Sequence, residues 1–342
     1  MGGFLNVLKP EGITSHDAVL QVRRILGEKR VGHLGTLDPM AVGVLPMVLG
    51  RYTRLSEYLL DEDKEYLAEF AFGITTDTCD LDGRITSRVP CEGLAPPDIV
   101  RFLAKYTGKI KQVPPAYSAV HVKGRRLHEL ARKGVEVEAP ERDVEVYEFK
   151  LLSWKPDPSP RGIFRLRVGR GTYVRALARD LGKDLGCGAA VSYLLRSRVG
   201  GFTLKNAVPL AAMRRMQRST RPHPSRPTSE YAPRIAGGLL SDPATVLSGF
   251  PLFELRRDSL ASVVHGRPLK PWDFTDPGKV EEWLWQAAAA QGKPRVCFAM
   301  YRDAGSGRSE VACVLSAVPG AGNIQGNSCR VKYEKVLLPR ER

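Results

Sequence analysis

The run Val31-Gly32-His33-Leu34-Gly35-Thr36-Leu37-Asp38-Pro39 constrains this chain more than any other stretch, because it sets one carboxylate in a glycine-rich loop closed by a proline. Gly32 and Gly35 open backbone conformations that other residues resist. Pro39 fixes its own φ and pushes Asp38 out of the helical region, so the loop holds Asp38 in one orientation. The chain around it is basic, with 52 Lys and Arg against 37 Asp and Glu and a formal net charge of +15. A carboxylate presented among cations suits chemistry, and attack as a nucleophile is one role open to it.

A positive surplus of that size favours a polyanionic partner, with nucleic acid ahead of an anionic membrane surface. The 342 residues, 43% of them hydrophobic, suffice for packed cores in two domains. No uncharged run approaches a spanning helix, and Met1 to Asn6 lacks the charged start and apolar core of a signal peptide, so a cytoplasmic protein is expected. Cys79, Cys91, Cys187, Cys297, Cys313 and Cys329 are scattered without the short spacing of a zinc site, which predicts reduced thiols and no metal.

Along the chain, Ser15 is placed to cap a helix ending at Gly27. Strands are expected at 65–73, 144–152 and 163–168, a helix at 171–185, and a turn at Thr75 to Gly83. The order of elements suggests an α+β fold. Between Lys205 and Arg234, arginines alternate with Pro222, Pro224, Pro227 and Pro233, which predicts a disordered tether. Short apolar runs at 250–255, 296–301, 311–315 and 330–338 indicate a small β-rich C-terminal domain. Trp283 and Trp285 are read as packing residues rather than a stacking platform.

Read by their chemistry, the candidates are Asp38, Tyr66 beside Lys64, Tyr117 and the run Arg170 to Arg175. An arginine paired with Asp38 would hold its rotamer, and an aromatic ring over the site would stack on a base. A structural Asp–Arg pair satisfies the same pattern.

Four of these stretches together, Lys9-Pro10-Glu11-Gly12-Ile13-Thr14-Ser15, Gly32 to Pro39, Lys64-Glu65-Tyr66 and Gly171-Thr172-Tyr173-Val174-Arg175, resemble the TruB family of tRNA pseudouridine synthases in content, order and spacing. Pro114 to Ala119 and Val191 to Leu194 extend the likeness over residues 4–205. The resemblance implies a pseudouridine synthase catalytic fold built on a central mixed, largely antiparallel sheet over 1–210, an Arg/Pro-rich linker over 211–247, and a PUA-like RNA-binding domain over 248–342. It also implies isomerisation of uridine 55 in the tRNA T-loop, by base flipping and covalent catalysis, with no cofactor. Asp38 would be the nucleophile, Arg175 its partner, and Tyr66 the ring stacked on the target uracil. Leu194 would wall the pocket, with Tyr173 packing beside it, and His33 would fill the space left by the flipped base. Lys9 and Lys64, and behind them Lys123, Arg125 and Arg126, are the expected phosphate contacts. The expected partner is the T-stem-loop of tRNA, bound by a monomer with no obligate protein partner and no membrane. Val42 departs from the family's usual threonine, and the linker is longer than usual. A non-catalytic RNA-folding protein would share the basic surface. A glycosidase would need a second positioned carboxylate, which the matched motifs do not supply.

Overall fold

In the computed structural model, residues 2–122, 124–131, 134–135, 139–156, 160–220, 238–289, 295–303, 307–319 and 329–338 are described. The chain opens with strand β1 (Gly2–Lys9) and helix α1 (Ser15–Leu26), then β2 (Val31–His33), β3 (Val42–Gly50) and a short helix α2 (Ser56–Leu59). Strand β4 (Lys64–Phe72) leads into the hairpin β5 (Ile74–Thr76) and β6 (Ile85–Arg88), then α3 (Pro96–Leu103) and β7 (Gly108–Gln112). A two-residue ladder, β8 (His121–Val122) with β9 (Arg125–Arg126), precedes α4 (Leu127–Ala131). After it come β10 (Arg142–Lys155), β11 (Arg161–Val168), α5 (Val174–Asp184) and β12 (Ala189–Val199). The short strands β13 (Phe202–Thr203) and β14 (Val208–Pro209), helix α6 (Leu210–Thr220) and β15 (Leu240–Ser241) complete this part.

One sheet runs β14-β1-β3-β12-β4-β11-β10-β7, with β2 on β3, β13 on β12 and β15 on β1. Only β1 with β14 and β3 with β12 pair in parallel, so the sheet is mixed and largely antiparallel as expected. Strand β4 shows why it forms: Lys64, Tyr66, Ala68 and Phe70 are buried while Glu65, Leu67 and Glu69 are half-buried, the period-two pattern of a strand with one face in the core. Strand β3 is apolar throughout, Val42-Gly-Val-Leu-Pro-Met-Val-Leu-Gly50, because both its faces are covered. On one side Leu45, Met47 and Leu49 join the apolar cluster that also holds residues of α1, α3 and α5; on the other Val44 and Val48 join that of Phe4, Tyr52 and the C-terminal strands.

Those strands are β16 (Leu252–Glu254), β17 (Val296–Arg302), β18 (Ser309–Pro319) and β19 (Cys329–Val336), a separate sheet in that order. Its Phe298, Met300, Val311 and Val314 enter the same apolar cluster as Phe4, Val44 and Tyr52. The Val311 N–H donates to the buried Tyr52 hydroxyl at 2.8 Å, Arg51 pairs with Glu310, and Arg54 donates to the Val336 carbonyl at 2.6 Å. Trp283 is buried in the outer cluster of this region, whereas Trp285 is 69% exposed.

The expected 211–247 linker is corrected at both ends. Leu210 and Met213 of α6 are buried with α1, and Gln217 Nε2 donates to the Arg24 and Ile25 carbonyls in the last turn of α1. Downstream, Leu240 and Ser241 pair with β1, and Asp242 caps the helix Pro243–Val246. The period-3.6 apolar residues of 210–217 carry an ordered helix that the arginines around them obscured. The proline-rich remainder, 221–237, lies outside the described residues.

Deleting residues 248–342 should therefore uncover an apolar face and leave the Tyr52 hydroxyl without its donor. The 1–247 fragment is expected to aggregate and bind a hydrophobic dye. A monodisperse fragment with the full-length melting temperature would show that the shared cluster contributes nothing to stability.

Candidate active site

The Asp38 loop is held by its own backbone and by α1. Leu34 N–H donates to the Pro46 carbonyl at 2.8 Å, Ala41 N–H to the Asp38 carbonyl at 3.1 Å, and Gly12 N–H to the Pro39 carbonyl at 3.0 Å. Gly35 sits at φ +103, which side chains on Cβ resist, so glycine is needed there. The cap of α1 is Thr14, not Ser15: Thr14 and Asp17 form a reciprocal capping box. Ser15 is thereby freed to face the loop, where its Oγ donates to the Leu37 carbonyl at 2.9 Å and accepts from Leu37 N–H at 2.8 Å.

Helix α5 delivers Arg175 from its first turn. Tyr173, just before the helix, is anchored to β7 by Gln112, which accepts from Tyr173 N–H at 2.8 Å and donates to its carbonyl at 3.2 Å. Arg175 Nε donates to Asp38 Oδ2 at 2.9 Å and Nη2 to Asp38 Oδ1 at 3.0 Å, a two-point fork that fixes the carboxylate plane. Its other donors reach the carbonyls of Thr78 at 2.8 Å and Tyr117 at 3.1 Å, and Nη1 lies 3.4 Å from Asp80 Oδ2. The guanidinium is buried while Asp38 keeps 29% of its side-chain exposure, so one partner is internal and the other is open to a substrate. Burial disfavours the Arg175 cation, but Asp38 and Asp80 outweigh it and raise its pKa.

Asp80 is a site residue that the sequence pattern hid, because Thr78 to Gly83 has the composition of an ordinary turn. Thr78 Oγ1 donates to Asp80 Oδ1 at 2.5 Å and Thr76 Oγ1 to the Asp80 carbonyl at 2.6 Å. Burial pushes the Asp80 carboxyl above its usual range, partly offset by Thr78 and Arg175. Within this turn Cys79 is at φ +62, the one non-glycine residue in the left-handed region among the described residues.

Tyr66 and Leu194 are brought together. Both are buried, on adjacent strands of the same sheet face, in the cluster that also holds Leu37 and Val174 from either side of the Asp38–Arg175 pair. Tyr173 is half-buried at the start of α5, and burial raises its hydroxyl pKa. His33 ends β2 with its Nδ1 buried and without a partner among the described residues; burial first, and then the Arg196 charge, lower its pKa and favour the neutral ring.

Lys9 and Lys64 are corrected: neither is placed to meet a phosphate. Lys9 is fully buried and its Nζ donates to the carbonyls of Pro10 at 2.7 Å, Ile13 at 2.8 Å and Pro39 at 3.1 Å. Lys64 is buried at the head of β4, donating to the carbonyls of Leu60 at 3.0 Å and Glu62. Both are internal staples, and Lys9 ties the far end of the Asp38 loop to β1. Lys123 lies outside the described residues, and Arg125 is exposed on β9. Arg196, which the motif reading passed over, is buried beneath the loop. Among the described residues no group of three or more His, Cys, Asp and Glu side chains is placed to hold a metal ion, and no helix is long and apolar enough to cross a membrane.

Burial pushes both ammonium groups from the usual 10.5 down to about 8. The unfolded state therefore binds more protons between about pH 8 and 10.5, and stability contributed by these groups rises with pH across that window, while below pH 8 the full cost of burying the charge is present. Lys64→Met should flatten the rise, read from urea midpoints at pH 8 and pH 9.5. An unchanged pH slope would show that Lys64 is not the group responsible.

The chain is similar to known proteins of one family. The model for the N-terminal domain of the TruB family pseudouridylate synthases matches residues 23–174, and that for the tRNA pseudouridylate synthase B C-terminal domain matches 175–227. The tRNA pseudouridine synthase B of Moorella thermoacetica is 52% identical over 206 residues, 60% of this chain and 68% of that protein. Its namesake from Symbiobacterium thermophilum is 50% identical over 208 residues, 61% of this chain and 70% of that one. Among solved structures, a chain of a Cbf5-Nop10-Gar1 complex shares the fold at TM-score 0.67 and 24% identity, over 99% of this chain and 85% of that one. With the Asp38 loop and its Arg175 partner inside the matched span, and identity of this level over two thirds of a relative, the chain belongs to the TruB family of pseudouridylate synthases.

Proposed function

We propose that this enzyme isomerises uridine 55 in the T-loop of tRNA to pseudouridine, with Asp38 as the nucleophile. The observation that carries the reading is the Asp38 carboxylate, partly open to solvent and held at two points by a buried Arg175. A fixed carboxylate beside an apolar wall suits a flat, neutral base taken out of its stack, and it repels the RNA backbone less because Arg175 balances its charge.

In this reading the target nucleotide turns out of the loop and its uracil lies between Tyr66 and Leu194. Asp38 adds either to the ring or to ribose C1′, the bond from N1 to C1′ breaks, the uracil rotates, C5 bonds to C1′, and the bond to Asp38 breaks in turn to return the free carboxylate. The proton on C5 is then lost and N1 gains one, so the product is an isomer and no oxidant or metal takes part. Tyr66 is a candidate base for a ribose proton. His33, as a neutral ring, fits the space left by the base. The net charge of +15 draws in the phosphate backbone. The C-terminal sheet is read as a PUA-like RNA-binding region. The protein is taken to act as a cytoplasmic monomer without an obligate protein partner.

The test is incubation with an unmodified tRNA transcript and a second transcript carrying cytidine at position 55, in metal-free buffer, with pseudouridine located by mass spectrometry. One modification, at position 55 of the first transcript alone, is expected. Tight binding of both transcripts without modification would replace this reading with an RNA-folding role.

A further inference from the structure

We propose that Arg196 is a positioning residue for this isomerisation: from beneath the Asp38 loop its buried guanidinium holds the Gly35, Thr36 and Val44 carbonyls, and so sets Asp38, Tyr66 and Leu194 against one another. The proposal rests on the function read from the site above. Arg196 is among the largest fully buried side chains of the molecule, at 1% exposure. Nε donates to the Val44 carbonyl at 2.8 Å, Nη1 to Thr36 at 3.1 Å and Nη2 to Gly35 at 3.1 Å. All three partners are backbone carbonyls, and among the described residues no carboxylate forms an ion pair with it. A guanidinium buried on dipoles alone is costly to desolvate, so its place in the fold calls for a role in what those carbonyls support.

Strand geometry ties it to the rest of the site. Leu194 and Arg196 lie two apart on β12 and share a face; Leu194 is opposite Ala68, and Arg196 is opposite Tyr66, across the β12–β4 ladder. The close pass of β12 along β3 is what brings the Val44 carbonyl within reach. It requires glycine at 43, at φ +121, where a Cβ would stand 2.2 Å from the Arg196 carbonyl oxygen. Among the described residues three side chains clamp the backbone between Gly35 and Pro39: Ser15 on Leu37, Lys9 on Pro39, and Arg196 on Gly35 and Thr36. Of these, Arg196 alone also grips the strand that follows the loop. A planar fork spreads its donors over three nitrogens, so it reaches these carbonyls from separate atoms, whereas an ammonium donates from one.

The experiment compares wild type with Arg196→Lys and Arg196→Gln on unmodified tRNA transcript. It measures the single-turnover rate at saturating enzyme, Kd by filter binding, melting temperature, and amide hydrogen exchange across residues 34–38. In folded variants we expect Kd within about threefold of wild type, faster exchange in the loop, and a single-turnover rate lower by about thirty-fold or more, the scale of a small misplacement of reacting groups. A folded variant with a rate within about threefold of wild type overturns the proposal. Failure of both variants to fold also overturns it, assigning Arg196 to the core alone. Wild-type activity is read first: an inactive wild type removes the reading of the site, whereas active wild type and active Arg196→Lys remove only the role given to Arg196.

Discussion

Asp38→Asn should abolish pseudouridine formation while leaving tRNA affinity within about threefold of wild type. The amide is nearly the size of the carboxylate, so the loop, clamped by Ser15 and Lys9 through backbone groups, has no steric reason to move. What changes is chemistry. Asn offers Arg175 one acceptor where the carboxylate offers two, so one of the bonds at 2.9 and 3.0 Å is replaced by two donors facing each other. The amide is also too weak a nucleophile to form a reversible covalent link to the base or sugar. A rate loss of about 10⁴-fold or more is expected, the scale seen when a covalent nucleophile is removed. Single-turnover kinetics on a transcript, with Kd from filter binding, decides it. Activity within about a hundred-fold of wild type would remove Asp38 from the nucleophile's role.

Arg175→Met should cost both activity and stability. Arg175 is buried and its donors converge on Asp38, on Thr78 and Asp80 of one turn, and on Tyr117, three separate stretches of chain. Removing the cation leaves Asp80 as a buried carboxylate whose remaining side-chain donor is Thr78, and truncating one member of a buried pair costs about 3–5 kcal/mol. A fall in melting temperature of roughly 6 °C or more follows for a chain of this size. Arg175→Lys separates the two effects. It restores a charge near both carboxylates but cannot reproduce the fork, so stability should recover in part while the rate stays low. A Lys variant with wild-type activity would show that charge alone suffices and that the two-point geometry does not matter. Loss of activity in the Met variant without loss of stability would instead mean that Asp80 is protonated or hydrated when its partner is gone.

How far the sequence could be read depends on how far each interaction reaches along the chain. The Asp38 loop was legible because its glycines and proline act on their own backbone, and β4 because alternation is a property of neighbouring residues. The pairing of Arg175 with Asp38, 137 residues away, entered only through the resemblance of the surrounding motifs. Ser15 was the expected cap of α1, and Thr14 is the one observed. The choice fell to Thr14 because Asp17 sits three residues later, and because Ser15 is claimed by Leu37, 22 residues away. Helix α6 was masked by the arginines on its outer side, and its apolar face is recognisable only once α1 is there to receive it.

The cations divide most sharply. The sequence by itself determined that the chain is basic, that it carries a constrained carboxylate in a loop, and that its strands form an α+β fold. Which lysines and arginines face solvent and which serve as internal staples was decided by tertiary structure alone. Lys9, Lys64 and Arg196 look like any other cations in the one-dimensional pattern, yet each ends donating to several backbone carbonyls inside the fold. The three carbonyls that Arg196 holds come together only when β12, β3 and the Asp38 loop pack, Arg196 reaching across 161 positions to Gly35. A buried polar group must find its partner wherever the fold brings one, and no local propensity records where that is.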